Sequence, residues 1–411
     1  MYRKHLIDEK LSIILFVFIF VLYVLVVMTK NCYSAAMAAI VHEGVMTKSQ
    51  TGLINAVFYM VYAPLQIIGG KVADKYVPEK MIAIGLFGSA CANFIIYLNQ
   101  NYIVMILAWA FNAAIQFGLW PSVFKIVSSQ LAEVHRSRAV FYISFAFSVG
   151  MFLAYLVAIF MERWEHNFLF SAIVLFLLGV ILMACFPYLD KHMIEYEATE
   201  KPDKKNKQDA INSKDLFFKS GLFVMLCVVL FRTVIEQGTK AIAPTLLMES
   251  YREISPDFGN FMSLFIIVAG IVGVIVAKCL YRRHIKDEIK GHIYAFLIII
   301  PFLIAITFVG KINLIVSVIS LAVVAMVASG LQLFTSYMTM EFARYGKDGE
   351  VAGLLNSSTS IGFIIQTYGI AVISDNFGWF AVTWLWLTMT VLSIIVLLYI
   401  YPKWKKFKNG E

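Results

Sequence analysis

Arg232, Glu236 and Lys240 recur at i, i+4 and i+8 inside an otherwise apolar run. In a helix each such step turns about 40° and rises about 6 Å, so the three head groups line one stripe. Glu236 can pair with the cation one turn before it or one turn after it. A fourth charge, Lys30, lies deep in the first apolar run of the chain. A charge near the centre of a membrane-spanning helix costs about 2.5–3.5 kcal/mol on insertion scales, so it persists where it is paired, hydrated or functional. The four charges sum to +2. The chemistry they offer is a cationic pocket for an anionic solute, with Glu236 as internal counter-ion or proton carrier. The competing reading is an ion-pair network that locks one helix against another. For Lys240 the aliphatic stem also allows the ammonium to snorkel to the outer interface.

A second constellation is Asn112, Gln116 and Trp120, again at i, i+4 and i+8 and followed by Pro121. Two amides and an indole on one face can line a cavity. Equally, small amides supply hydrogen bonds between membrane helices. Weaker polar faces are Asn55, Tyr59 and Tyr62; Ser329, Gln332 and Ser336; and Asn356, Ser360 and Gln366. Tyrosines near helix ends are commonly interfacial belt residues. Lys125 reads as a gate or headgroup contact. The chain has no Gly-Lys-Ser phosphate loop, no Cys/His metal spacing and no serine elbow. That disfavours an ATP-driven pump or an intramembrane protease, so no enzyme, cofactor or metal is expected. Cys32, Cys91, Cys185, Cys227 and Cys279 lack paired spacing and read as small buried hydrophobes.

These residues need membrane helices to position them. Of the 411 residues 60% are hydrophobic and 15% charged, too little polar surface for a soluble chain of this length. A span needs about 20 apolar residues. Twelve runs qualify, at 11–41, 50–73, 80–98, 102–130, 138–161, 166–188, 216–249, 257–281, 291–309, 312–340, 352–373 and 379–402. With the N-terminus inside, 27 of the 34 Lys and Arg fall in inside segments. Only Lys48, Arg163, Arg252 and Lys311 fall outside, and Lys30, Arg232 and Lys240 within spans. The positive-inside rule thus fixes the count and puts both termini in the cytoplasm of an inner-membrane protein. The net charge of +8 belongs to these loops and argues for a lipid bilayer, not nucleic acid, as partner. Arg3-Lys4 before an apolar run and Ser34-Ala35-Ala36 mimic a signal peptide. Cleavage there would leave eleven spans and break the charge alternation, so an uncleaved span is expected.

The expected fold is an all-α membrane protein of twelve transmembrane helices in two six-helix halves, residues 1–188 and 216–411. The segment 189–215 between them is rich in Lys, Glu, Asp and Asn and is expected to be a mobile cytoplasmic linker. After the second span, Gly70, Asp74 and Lys75 form a Gly-x-x-x-Asp-Lys pattern that resembles the cytoplasmic signature of the major facilitator superfamily. The resemblance implies a gating role. Gly70 would let helices approach closely, and Asp74 would accept from a helix N-terminus or an arginine. The usual second glycine is absent, with Val77-Pro78 near its place.

A more specific resemblance appears in span 4. Trp109-Ala110-Phe111-Asn112-Ala113-Ala114-Ile115-Gln116-Phe117-Gly118-Leu119-Trp120-Pro121 resembles the Trp-x-x-Asn-Gly-x-x-Gln-Gly-x-Gly-Trp-Pro run of the organophosphate:phosphate antiporter family, which includes the glycerol-3-phosphate and hexose-phosphate transporters. Lys30-Asn31, Ala243-Pro244-Thr245, Ala352-Gly353 and Phe377-Gly378-Trp379 fit the same frame. That family binds phosphate with two arginines and carries a histidine in its fifth helix. Thr29, Glu236 and Phe147 fall at those positions here, so one phosphate-binding position has its charge inverted.

The residues and the resemblance together lead to an expected secondary active transporter, a monomer, that moves a small polar, anionic organic solute by alternating access. Lys30 and Arg232 would hold the negative group. Asn112, Gln116 and Trp120 would contact the body, and Glu236 would couple a proton or balance charge. A counter-substrate is the other coupling partner. The alternatives are a proton-coupled exporter of cationic or amphipathic compounds and a non-transporting membrane sensor with a transporter fold.

Overall fold

A segment that crosses lipid has no water to satisfy its amides, so long apolar runs fold as helices with every backbone bond internal. The computed structural model follows this rule. It describes residues 2–409 apart from Ile7, Tyr76, Glu133, 136–138, 140–141, Ser144, 198–212, 252–253, Lys286, 310–312 and 343–347. Among the described residues nine helices are long and apolar enough to span a membrane. The last of them, Gly353–Asn409, holds two predicted spans, and Gly378 at φ +74° breaks it where the eleventh gives way to the twelfth. Helices Lys48–Lys75 and Ala146–Ile159 stand at the places of spans 2 and 5. The protein is an all-α membrane protein whose helices accord with twelve spans.

Two compact units form. The first comprises Met1–Ala36 and Val57–Lys204, the second Met37–Ala56 and Lys205–Glu411. The hairpin Met37–Ala56, which contains the junction of spans 1 and 2, therefore groups with the second unit. In the first unit span 3 (Pro78–Leu98) packs on span 4 and on span 6 (His166–Asp190). Leu15, Ile19 and Leu22 of span 1 share its core with Leu86, Leu119 and Leu175. Span 4 is segmented into Tyr102–Gln116, Leu119–Lys125 and a π-helical turn Ile126–Gln130. Pro121 has no amide proton and sits in the first turn after the break, where none is needed.

In the second unit span 8 (Pro256–Leu280) packs on span 10 (Leu314–Glu341). Span 9 (Glu288–Phe308) packs on span 10 and on the Ile370–Asn409 helix. Gly273 permits the contact of spans 8 and 10, because a Cβ there would lie 1.8 Å from the Met326 carbonyl oxygen. Span 7 comes in three pieces, Ser213–Ser220, Leu222–Ala241 and Ala243–Ser250. Gly221 at φ +77° makes the first break, a conformation that costs glycine little. Pro244 opens the third piece.

Three expectations are corrected. The segment after span 6 is in part a strand: Met193–Glu197 pairs antiparallel with Tyr2–Leu6, Lys4 opposite Glu195 and Leu6 opposite Met193. Strands of only five residues leave little trace in a hydropathy scan; Leu6 and Met193 are buried. The C-terminal helix continues past 402 to Asn409, because Trp404 and Phe407 are buried against Phe342. Of the five cysteines only Cys32 is buried. Cys91, Cys185, Cys227 and Cys279 lie on outward faces of apolar helices, where hydropathy alone does not separate core from lipid.

Candidate functional site

In the first unit Lys30 projects from span 1 (Glu9–His42) toward span 2. Its ammonium lies 4.6, 5.1 and 4.5 Å from the ring centroids of Phe58, Tyr59 and Tyr62. Those three residues sit at i, i+1 and i+4 of one helix, so they share a side. Phe58 and Tyr62 stack with centroids 5.5 Å apart, and Phe58 also meets Trp109 of span 4. A ring face attracts a cation through its quadrupole, by about 0.5–1 kcal/mol when exposed and about 2 when desolvated. Among the described residues Lys30 has no carboxylate in ion-pair range. Its partners are thus ring faces, which carry no net charge. Thr29 turns back to its own helix and donates to the Val26 carbonyl at 2.9 Å.

Asn112 and Gln116 are fully or nearly fully buried between spans 3 and 4. The Gln116 amide donates to Asn112 Oδ1 at 2.8 Å and to Ser89 Oγ at 2.9 Å. The Asn112 amide nitrogen has no partner. The pair therefore ties two helices together and keeps one donor open. Trp120 is half-buried and packs on Tyr23 of span 1, ring centroids 4.8 Å apart. Helix Lys48–Lys75 carries the backbone of Gly70, Asp74 and Lys75. Their side chains, and so the gating expectation, lie outside the described residues.

In the second unit Arg232, Glu236 and Lys240 do form one ladder on the middle piece of span 7. Arg232 Nη1 donates to Glu236 Oε2 at 2.5 Å, and Lys240 Nζ to Glu236 Oε1 at 2.7 Å. Their side chains are 2, 11 and 6% exposed, so all three head groups are buried within the protein. Ser329 Oγ of span 10 lies 3.1 Å from Glu236 Oε1. Arg232 Nη2 reaches Thr233 Oγ1 at 3.2 Å, while its Nε has no partner. Gly270 of span 8 makes room for the lysine, since a Cβ there would lie 2.8 Å from Lys240 Cε. One carboxylate thus serves two cations and leaves the ladder at +1.

Sequence reasoning placed Lys30 and the ladder inside the membrane but missed their surroundings. Tyr59 and Tyr62 looked like belt tyrosines, and Phe58 carried no polar signal at all. The adjacency of three rings at i, i+1 and i+4 was the clue available. A second cluster was missed entirely. Lys48 Nζ pairs with Glu249 at 2.7 Å and with Asp375 at 3.5 Å, and Trp379 Nε1 donates to Glu249 at 2.8 Å. Asp375 also accepts the Ser49 amide at 2.8 Å and so caps the helix that begins at Lys48. No group of three metal-ligating side chains occurs among the described residues.

The comparisons with known proteins agree with this architecture. The glycerol-3-phosphate transporter of Bacillus subtilis (strain 168) is 22% identical over 302 residues, 68% of this chain and 67% of that protein. The membrane sensor protein UhpC of Salmonella typhimurium (strain LT2) is 29% identical over 94 residues, 23% of this chain and 21% of the sensor. Among solved structures, a bacterial homologue of the human lysosomal transporter Spinster superposes with a TM-score of 0.74. It covers 98% of both chains at 13% identity, a likeness of fold alone. The sequence matches the Major Facilitator Superfamily over residues 19–367. On that match the chain belongs to the major facilitator superfamily, a family of membrane transporters and not of enzymes.

Proposed function

We propose that this protein is a secondary active transporter of a small, polar, anionic organic solute, working by alternating access. One observation carries the reading: among the described residues Lys30 pairs with no carboxylate, and Arg232 and Lys240 share a single one. Lys30 is held by rings, and two cations share Glu236. Buried charge of one sign draws a ligand of the other, and an anion supplies what the protein leaves out. Lys30 and Arg232 hold the negative group, and Trp120 with the open amide of Asn112 and its partner Gln116 contact the body. Gly70, Asp74 and Lys75 form the cytoplasmic gate. The similarity to a glycerol-3-phosphate transporter supports an anion as substrate. Glu236 sets the charge pattern apart from a site built of arginines alone.

The test is thermal stabilisation in detergent by a panel of glycerol 3-phosphate, inorganic phosphate, carboxylates, neutral sugars and organic cations, since a ligand of the folded state raises its melting point. Stabilisation by organic anions, lost in Lys30→Ala, upholds the proposal. Stabilisation by cations alone, lost in Glu236→Gln, turns it into a cation exporter. The similarity to a membrane sensor favours one further reading, a receptor with a transporter fold. It predicts the same anion binding with no flux into proteoliposomes.

A further inference from the structure

Two cations and one carboxylate lie on a single stripe of span 7, and all three are buried. Without Glu236 the stripe would carry two bare cations whenever no solute is bound, and such a state is costly to occlude in a membrane. With Glu236 in place both cations of the stripe have a partner within the protein. Arg232 and Lys240 each hold one carboxylate oxygen, and Ser329 adds a hydroxyl to the oxygen facing Lys240. Lys30 rests against three ring faces. We propose that Glu236 is a built-in counter-anion that lets the empty carrier change face, so that transport runs as net movement and is not tied to the return of a second anion. The inference rests on the transporter reading, and it adds the mode of transport: the carrier needs no exchange partner.

The mechanism makes opposite predictions for two substitutions on the same stripe. Glu236→Gln takes the ladder from +1 to +2 and removes the partner of both cations. Lys240→Gln takes it to zero and leaves the Arg232–Glu236 pair intact. A purely structural ladder would be harmed by both.

The experiment is single-molecule energy transfer on the full chain in liposomes with no solute present. The five native cysteines are replaced, and dyes are attached through Phe160→Cys and Phe377→Cys. Both positions are about three-quarters exposed, one in each unit, on the side that the charge bias assigns to the outside. The parent is expected to switch between two transfer levels without ligand. Glu236→Gln should slow switching by about tenfold or more, Glu236→Asp should restore it, and Lys240→Gln should switch at least as fast as the parent. A parent fixed at one level, or Glu236→Gln switching like the parent, overturns the inference. If Glu236→Gln does not fold, slower switching in Lys240→Gln overturns it just as well. No solute enters the test, so an error in the substrate class would show in the melting panel and leave this result standing.

Discussion

Glu236 should matter more to the fold than either cation it holds. Removing it strands two buried cations, and breaking a buried ion pair from one side costs about 3–5 kcal/mol. Removing Lys240 leaves Glu236 its bond to Arg232 and forfeits one charge-assisted hydrogen bond, about 1.5–3 kcal/mol. For a cooperative unit of 150–250 residues each kcal/mol moves the melting point by about 2–4 °C. Glu236→Gln should then melt about 6–20 °C below the parent and Lys240→Gln about 3–12 °C below it. Exchanging all three for Met removes the desolvation cost with the attraction and should return the midpoint close to that of the parent. The assay is thermal unfolding in one detergent, followed by intrinsic tryptophan fluorescence, for the three variants side by side. The reasoning fails if Lys240→Gln melts lower than Glu236→Gln, because the carboxylate would then not be the hub of the ladder.

Four further outcomes follow from the surroundings of single residues. Gly273→Ala drives a Cβ into the Met326 carbonyl and should cost at least the 1–3 kcal/mol typical of overpacking, about 2–12 °C in the same melt. Gly353→Ala meets nothing within 4 Å and should gain up to about 1 kcal/mol from helix propensity alone. Tyr62→Leu and Phe58→Leu each remove one ring from Lys30 and should cost about 0.5–2 kcal/mol more in the parent than in a Lys30→Met background. Equal losses in both backgrounds would mean that the rings serve packing and not the cation. At the other end of the chain, Lys408 bonds both oxygens of Glu288 at 2.9 Å and lies 3.4 Å from Glu341. Glu288→Gln should therefore speed amide exchange in 404–409 while leaving span 9 protected, and unchanged exchange would show that Trp404 and Phe407 alone hold the tail.

The helices were legible because lipid imposes one rule on every span. The ladder was legible for a local reason: Arg232, Glu236 and Lys240 sit on one helix, and spacing alone sets them in line. What lay across helices was not. Ser329 reaches Glu236 from span 10, and Phe58 reaches Lys30 from span 2. The cluster of Lys48, Glu249, Asp375 and Trp379 draws residues from distant stretches of the chain. Such meetings depend on packing angles that no single stretch of sequence encodes. The faces of Cys91 and Cys185 were illegible for the opposite reason, since a residue facing lipid and one facing the core are equally apolar.

The difference between a ring and a carboxylate as partner bears on how the site can work. A carboxylate beside Lys30 would cancel its charge, and an incoming anion would have to displace it. Three ring faces give the ammonium somewhere to rest, each worth about 0.5–2 kcal/mol, and bring no opposing charge to it. An anion then gains the whole attraction and gives up only part of the ring contact. On span 7 the partner is a carboxylate instead: Glu236 is shared by Arg232 and Lys240 and leaves the stripe with one positive charge. For the proposed anionic solute, a cation held only by rings favours release as well as capture.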